Sequence, residues 1–434
     1  SLKDLIKRHI WQDGWLESKS IIDKCPDMVR FPLNFLGDTA LHLAVYSGRL
    51  EIVKELVKRM RPEDMLIQNS DGDTVLHLAA REGSLEIVKE LVKRMRPEDM
   101  LIQNSDGDTV LHLAAREGSL EIVKELVNRM RPEDMLIPNS DGDTTLHVAA
   151  RKYSSEIVKE LVKRMRPEDM LIPNSDGDTA LHVAARKLYS SEIVKELVKR
   201  MRPEDMLIPN SSGDTALHLA VSKGRGEIVF ELVKRMRPED MLIQNSDGDT
   251  VLHLAAREGS LEIVEELVKR MRPEDMLIQN SDGDTVLHLA AREGSLEIVK
   301  ELVNRMRPED MLIPNSDGDT ALHVAVKRGR LEFVKELVNR MRPEDMIIQN
   351  SSGDTALHLA VKRGRLEFVK ELVKRMRPED MIIPNSDGML PVHLAAEIRS
   401  DRMVDILSSE EVLDKMNFKD IERLFMMTIR FHMF

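Results

Sequence analysis

Cysteine is almost absent from this 434-residue chain: Cys25 stands alone, so no disulfide can form within it. That suits a reducing compartment. Aromatic residues make up only 3% of the chain, so the core must be built from Leu, Ile, Val, Met and Ala. No apolar run reaches the roughly 18 residues that a membrane-spanning helix needs. The first residues lack the basic, then apolar, then small-residue order of a secretory signal. Positive charge is in deficit, with a net charge of −12, which argues against non-specific binding to nucleic acid or anionic lipid. Glycine-rich phosphate loops, nucleophile elbows and metal motifs are missing as well. Carboxylates are plentiful but recur identically along the chain, whereas a catalytic pair needs a unique, shielded setting. Cys25 has no activating partner nearby in sequence and reads as a buried small apolar residue. The expectation is a non-enzymatic protein with no catalytic residue, cofactor or metal.

What is present is a repeat. Gly-Asp-Thr-x-Leu-His begins at Gly37, Gly72, Gly107, Gly142, Gly177, Gly213, Gly248, Gly283, Gly318 and Gly353, with a degenerate copy at Gly388. The step is 35 residues, except for 36 between Gly177 and Gly213. A fixed period of this size means stacked supersecondary units, each needing its neighbours to bury its apolar side. One continuous elongated domain is therefore expected, and a long binding surface rather than a cleft.

Within the copy that starts at Gly72, Thr74 is placed to cap a helix carrying Val75, Leu76, Leu78, Ala79 and Ala80. The two alanines let a neighbouring helix come close. Gly83 ends that helix by accepting a left-handed backbone. Leu85, Val88, Leu91, Val92 and Met95 recur at helical spacing and predict the buried stripe of a second helix. Pro97 ends it by biasing Arg96 away from helical angles. Met100, Leu101 and Ile102 read as an apolar strap, and Asn104-Ser105-Asp106-Gly107 as a tight turn.

This unit resembles the ankyrin repeat in its Gly-x-Thr-x-Leu-His-x-Ala-Ala, the glycine after the first helix and Leu-Glu-Ile-Val-Lys-Glu-Leu-Val in the second. The resemblance covers roughly residues 37 to 408. It implies an all-α solenoid of about eleven helix-turn-helix units with hairpin-like loops and a curved, right-handed path. The loop Arg-Pro-Glu-Asp-Met-Leu-Ile-Gln-Asn-Ser-Asp-Gly-Asp is about two residues longer than the commonest ankyrin loop. It is similar to loops of plant ankyrin proteins with a C-terminal membrane domain of the PGG type, which are tied to cell-death control and stress signalling. Met389-Leu390-Pro391-Val392-His393-Leu394-Ala395-Ala396 points the same way. The resemblance thus implies a protein-binding scaffold, the soluble part of a membrane-associated signalling or defence protein on the cytoplasmic side. Its partners would be other proteins, with no membrane contact by this segment itself.

Residues 1–36 read as a diverged N-terminal capping repeat: Leu5, Ile6 and Ile10 in a short helix, Asp13-Gly14 as a turn, and a second helix from Trp15 to Lys24. Lys7, Arg8 and Lys19 give this cap its polar outer face. Residues 37–396 hold the repeats, and 397–434 read as C-terminal capping helices with another helix near Asn417 to Phe434. The chain starts at Ser1 and stops among apolar residues that include Phe431, Met433 and Phe434, so both ends are expected to be cut edges, and oligomeric state stays open. Residues 101–135 and 277–311 are identical, which suggests duplication of a multi-repeat block. An engineered or reconstructed array without a natural ligand, and a structural spacer or spring, are the alternatives.

The repeat histidines, among them His77, His112, His253 and His288, invite a metal reading. Stacked helices are about 8–10 Å apart while imidazole reaches zinc at about 2.0–2.1 Å, so a structural tie between hairpin and helix is expected instead. Gly72 and Gly107 are structural turn residues. Asn-Ser-Asp-Gly-Asp invites calcium, but on the EF-hand frame Ile67 and Leu78 stand where acidic ligands are required.

Partner choice is expected where the copies differ, at the end of the first helix. Four copies place Arg-Glu there: Arg81-Glu82, Arg116-Glu117, Arg257-Glu258 and Arg292-Glu293. Others place two cations: Arg151-Lys152, Arg186-Lys187, Lys327-Arg328 and Lys362-Arg363. These cation pairs are candidates for docking acidic partner segments, with salt-sensitive affinity. Tyr153 and Tyr189 stand where other copies have glycine, beside an extra residue at Leu188, and Ser155, Ser191 and Gly226 replace the second-helix leucine. A tyrosine at positive φ is an outlier, and losing a buried leucine costs about 2–5 kcal/mol. Residues 150–228 are therefore expected to be the least regular stretch, with the tyrosines as candidate partner anchors.

Overall fold

In the computed structural model, residues 8, 10 and 15–432 are described, and every regular element among them is helical. The helix read at Leu5 and Ile6, the Asp13-Gly14 turn, Lys7, Met433 and Phe434 lie outside the described residues. The second helix of the N-terminal segment spans Trp15–Lys24.

The chain divides into two compact units, Ser1–Ser211 and Ser212–Phe434. In the first, the short helices Ala40–Tyr46, Val75–Arg81, Val110–Arg116, Thr145–Arg151 and Ala180–Arg186 pack in a row. Each is followed by a second helix, as Val75–Arg81 is by Leu85–Val92, and the second helices form a row of their own. In the other unit the first helices run from Ala216–Ser222 to Pro391–Glu397 in the same manner. Phe418–His432 then packs on Pro391–Glu397.

The composition explains the packing. Ala79 and Ala80 are wholly buried, so only their methyl groups take up space where the first helix packs. Ile87, Val88, Leu91 and Val92 form the buried stripe of the second helix. Leu85, expected in that stripe, is only half-buried. It is the first helical residue, and a helical side chain leans toward the N-terminus, so it covers the turn rather than the core. The serines and glycine that replace it leave the helices intact: Ser155–Val162, Ser191–Val198 and Gly226–Val233 keep the eight-residue length of Leu85–Val92. The 2–5 kcal/mol cavity cost belongs to a fully buried leucine and does not apply here.

The strap predicted after Pro97 is a 3-10 helix, Pro97–Leu101, with Met100 buried beneath it. Its start is fixed by Asp99, whose carboxylate accepts the Arg96 backbone N–H at 2.8 Å and its guanidinium at 3.0 Å. Burial works against that charge, but the two Arg96 donors outweigh it and hold the Asp99 carboxyl below its ordinary pKa.

Candidate functional site

Within each of the two units, successive repeats are joined by the same polar staple. Thr74 caps the first helix, and its backbone N–H donates to His77 Nδ1 at 3.1 Å. With Nδ1 accepting, Nε2 bears the proton and donates to the carbonyl of Asp108 in the next repeat at 3.1 Å. The pattern recurs from His42 to the carbonyl of Asp73, from His112 to Asp143, from His253 to Asp284 and from His288 to Asp319. His393 makes its bond to Asp420 in the terminal helix, which so takes the place of a further repeat. Burial pushes these imidazoles below the ordinary histidine pKa and keeps them neutral, against the pull of the carbonyls and nearby aspartates. Among the described residues, no group of three or more His, Cys, Asp or Glu is arranged to hold a metal ion.

The turn glycines serve the same junction. Gly72 and Gly107 have φ of +74° and +75°, and a Cβ on either would lie 2.5 or 2.6 Å from the backbone nitrogen of Ser105 or Ser140 in the next tip. That close approach lets successive tips bond, Ser105 N–H to the Asp71 carbonyl and Ser140 N–H to Asp106, both at 3.0 Å.

A second network passes through the aspartate of Gly-Asp-Thr, which the sequence reading missed. Asp108 is wholly buried. Its Oδ1 accepts from Asn139 Nδ2 of the next repeat at 2.8 Å, and its Oδ2 meets the Arg116 guanidinium at 2.6 Å. Asp73–Arg81, Asp249–Arg257 and Asp284–Arg292 repeat this pairing.

This network redefines the candidate cations. Arg151 pairs with Asp143 at 2.6 Å, Arg186 with Asp178 at 2.8 Å and Lys362 with Asp354 at 2.7 Å, while Lys327 pairs with Asp319. The first member of each predicted pair is therefore committed to a buried aspartate of its own repeat. Lys152, Arg328 and Arg363 are exposed and Lys187 is half-buried. Glu82, Glu117, Glu258 and Glu293 occupy the same place in other repeats and are exposed too. In the first unit the order along this edge is Ser47, Glu82, Glu117, Lys152, Lys187; in the second it is Lys223, Glu258, Glu293, Arg328, Arg363, Ile398.

Tyr153 and Tyr189 both adopt φ of +62°, and Arg399 joins them at +57° without having been anticipated. The tyrosines are 50% and 85% exposed, so neither ring is spent on the core. The extra residue is absorbed at Lys187, whose backbone turns extended (φ −91°, ψ 146°) and projects Leu188 outward, 43% exposed. Cys25, expected to be buried, is exposed; it stands between Trp15–Lys24 and the 3-10 helix Pro26–Arg30, where neither element covers it.

No curated protein sequence matches the chain. A family model described as "Ankyrin repeats (3 copies)" matches it in overlapping segments that run from residues 18–100 to 341–420. With that match laid along nearly its whole length, and with helix pairs that follow the same period, the chain belongs to the ankyrin-repeat family.

Proposed function

We propose that the chain is a non-enzymatic protein-binding scaffold that presents an exposed position of variable charge on a frame of recurring hydrogen bonds. One observation carries this reading. The Thr–His and Asp–Asn bonds recur from repeat to repeat, while the exposed position after the ion-paired cation changes sign from Glu117 to Lys152 and from Glu293 to Arg328. Ankyrin repeats mediate protein–protein interactions, and a frame this strongly cross-linked binds without a large ordering cost. Acidic partner segments would dock at Lys152, Lys187, Arg328 and Arg363, with Arg151, Arg186, Lys327 and Lys362 supporting them from their salt bridges. The setting we propose is the plant signalling or defence context that the loop text suggests. No described helix is long and apolar enough to cross a membrane, so attachment would fall to another part of the protein. Residues 1–36 and 397–434 act as end caps in this scheme, and 37–396 as the binding array.

The test is comparative capture from native plant extract with the wild-type chain and with K152E/K187E/R328E/R363E, which spares every buried aspartate's partner. The scaffold reading expects captured proteins that disappear with the charge reversal and at high salt. A spacer would show the same captured set for both forms.

A further inference from the structure

We propose that Tyr153, Leu188 and Tyr189, flanked by Lys152 and Lys187, form one docking site in the first unit for an acidic peptide carrying an apolar residue. The proposal rests on the scaffold reading and deepens it.

The site is assembled by two adjacent turns. The helix pairs they join, Thr145–Arg151 with Ala180–Arg186 and Ser155–Val162 with Ser191–Val198, pack side by side. Equivalent turns in neighbouring repeats lie within side-chain reach, since a Cβ on Gly118 would be 3.9 Å from Ser154 Oγ. Ser190 is wholly buried, whereas its counterparts Ser119 and Ser154 are half-buried. The inserted residue thus folds the turn over Ser190 and sends Leu188 and Tyr189 to the outside.

Both tyrosines occupy a left-handed backbone that glycine fills at Gly83 and Gly118. That conformation is unfavourable for a side chain with a Cβ. Core burial does not repay the strain, because the rings stay exposed. Two consecutive repeats carry the same strained choice, and rigid exposed aromatics are the residues that anchor partners.

The surroundings select the partner's charge. Asp143 and Asp178 are engaged by Arg151 and Arg186, and Glu156 and Glu192 by Lys159 and Lys195 at 2.7 and 2.6 Å. Lys152 and Lys187 have no ion-pair partner among the described residues, and exposed Glu117, at the equivalent place in the preceding repeat, bounds this positive patch on one side. An apolar anchor beside two uncompensated ammonium groups fits an acidic segment with one apolar side chain to insert.

The test uses the full chain and two fluorescein-labelled peptides of equal length, one a repeat of Glu-Glu-Leu and the other of Lys-Lys-Leu, with affinity read by anisotropy. Wild type should bind the acidic peptide and not the basic one. Y153G/Y189G should raise the melting temperature yet weaken acidic-peptide binding about tenfold or more. K152E/K187E should weaken it similarly and admit the basic peptide. If Y153G/Y189G raises the melting temperature and leaves binding unchanged while K152E/K187E abolishes it, the tyrosine anchor is wrong and the charged edge stands. If wild type ignores the acidic peptide, or neither pair of substitutions alters its binding, the site is overturned. Whether the scaffold reading falls with it is then decided separately by capture with the four-fold charge reversal.

Discussion

Arg116 closes over Asp108, placing a guanidinium nitrogen 2.6 Å from a carboxylate that has no exposure of its own. The aspartate sits in the hairpin and the arginine at the end of the following helix, so the pair locks the loop to the helix end. Its second oxygen is held by Asn139 of the next repeat. One charge therefore couples three pieces of backbone, and other copies in the array supply controls. Where the cation is replaced, by Tyr46 opposite Asp38 and Ser222 opposite Asp214, the aspartate is only half-buried. Where Glu397 takes the cation's place, the aspartate is replaced by buried Met389.

Removing the cation should therefore be felt as a loss of stability. Arg116→Met is expected to cost about 1–2 kcal/mol, because it leaves a buried carboxylate oxygen without its counter-charge, a loss moderated by the partial exposure of the arginine. A double-mutant cycle with Asp108→Asn, read by urea denaturation, should show coupling of about 1 kcal/mol. Lys89→Met, which breaks an exposed, solvent-screened pair with Glu86, should leave the urea midpoint essentially unchanged. Equal costs at the two sites would mean that Asp108 is not a buried anchor.

The histidine staple makes a pH prediction with a definite sign. Burial lowers the folded-state pKa of His77, His112 and their counterparts below the unfolded value. Between those two values the unfolded chain binds more protons, so stability falls as pH falls through about 6.5. The slope is about 1.4 kcal/mol per pH unit for each histidine that unfolds in the same cooperative step. Asp99 and Asp169 have lowered pKa values, so their contribution persists above the ordinary carboxylate range and is lost only on further acidification. Urea melts at pH 7.5, 6.5 and 5.5 should therefore show a steep loss before the carboxylates titrate, and His112→Gln should lessen the slope by one histidine's share. A stability that is level over that interval would contradict the neutral, buried imidazole.

Much of this frame was legible in the sequence because two periodicities coincide. The 35-residue period marks the units, and within each unit Ile87, Val88, Leu91 and Val92 keep helical spacing. Thr74 and His77 could be placed by their position at a helix start. The Asp108–Arg116 pair escaped because it spans a hairpin and a helix, so no helical or strand period relates the two residues. A signal was nonetheless present: Met389 and Glu397 change together in the last repeat. Leu85 was misplaced because spacing alone does not show that a first-turn side chain leans off the core.

That misplacement has its own consequence. Leu85→Ser should cost under about 1 kcal/mol, since a half-buried side chain loses little on removal, and Ser155 and Ser191 already occupy the equivalent positions. Leu91→Ala, at a wholly buried position, should cost about 2–5 kcal/mol. Thermal or urea unfolding of the two variants checks the contrast, and similar losses would restore Leu85 to the core.

Two glycines with nearly the same backbone separate conformational strain from steric contact. Gly107 and Gly118 have φ of +75° and +73°. A Cβ on Gly118 would lie 3.9 Å from Ser154 Oγ, an ordinary contact, but on Gly107 it would lie 2.6 Å from the Ser140 backbone nitrogen. Gly118→Ala should therefore cost only the left-handed term, about 1–2 kcal/mol. Gly107→Ala adds the cost of pushing apart two tips joined by the Ser140-to-Asp106 bond, about 1–3 kcal/mol more. Because stability in a stacked array is carried by neighbour interfaces, the extra loss should appear as early fraying at the hairpin tips. Hydrogen exchange at Ser140, fast in Gly107→Ala and protected in Gly118→Ala, reads this directly. Equal exchange in the two variants would mean that backbone strain, and not tip-to-tip contact, is what the turn glycine relieves.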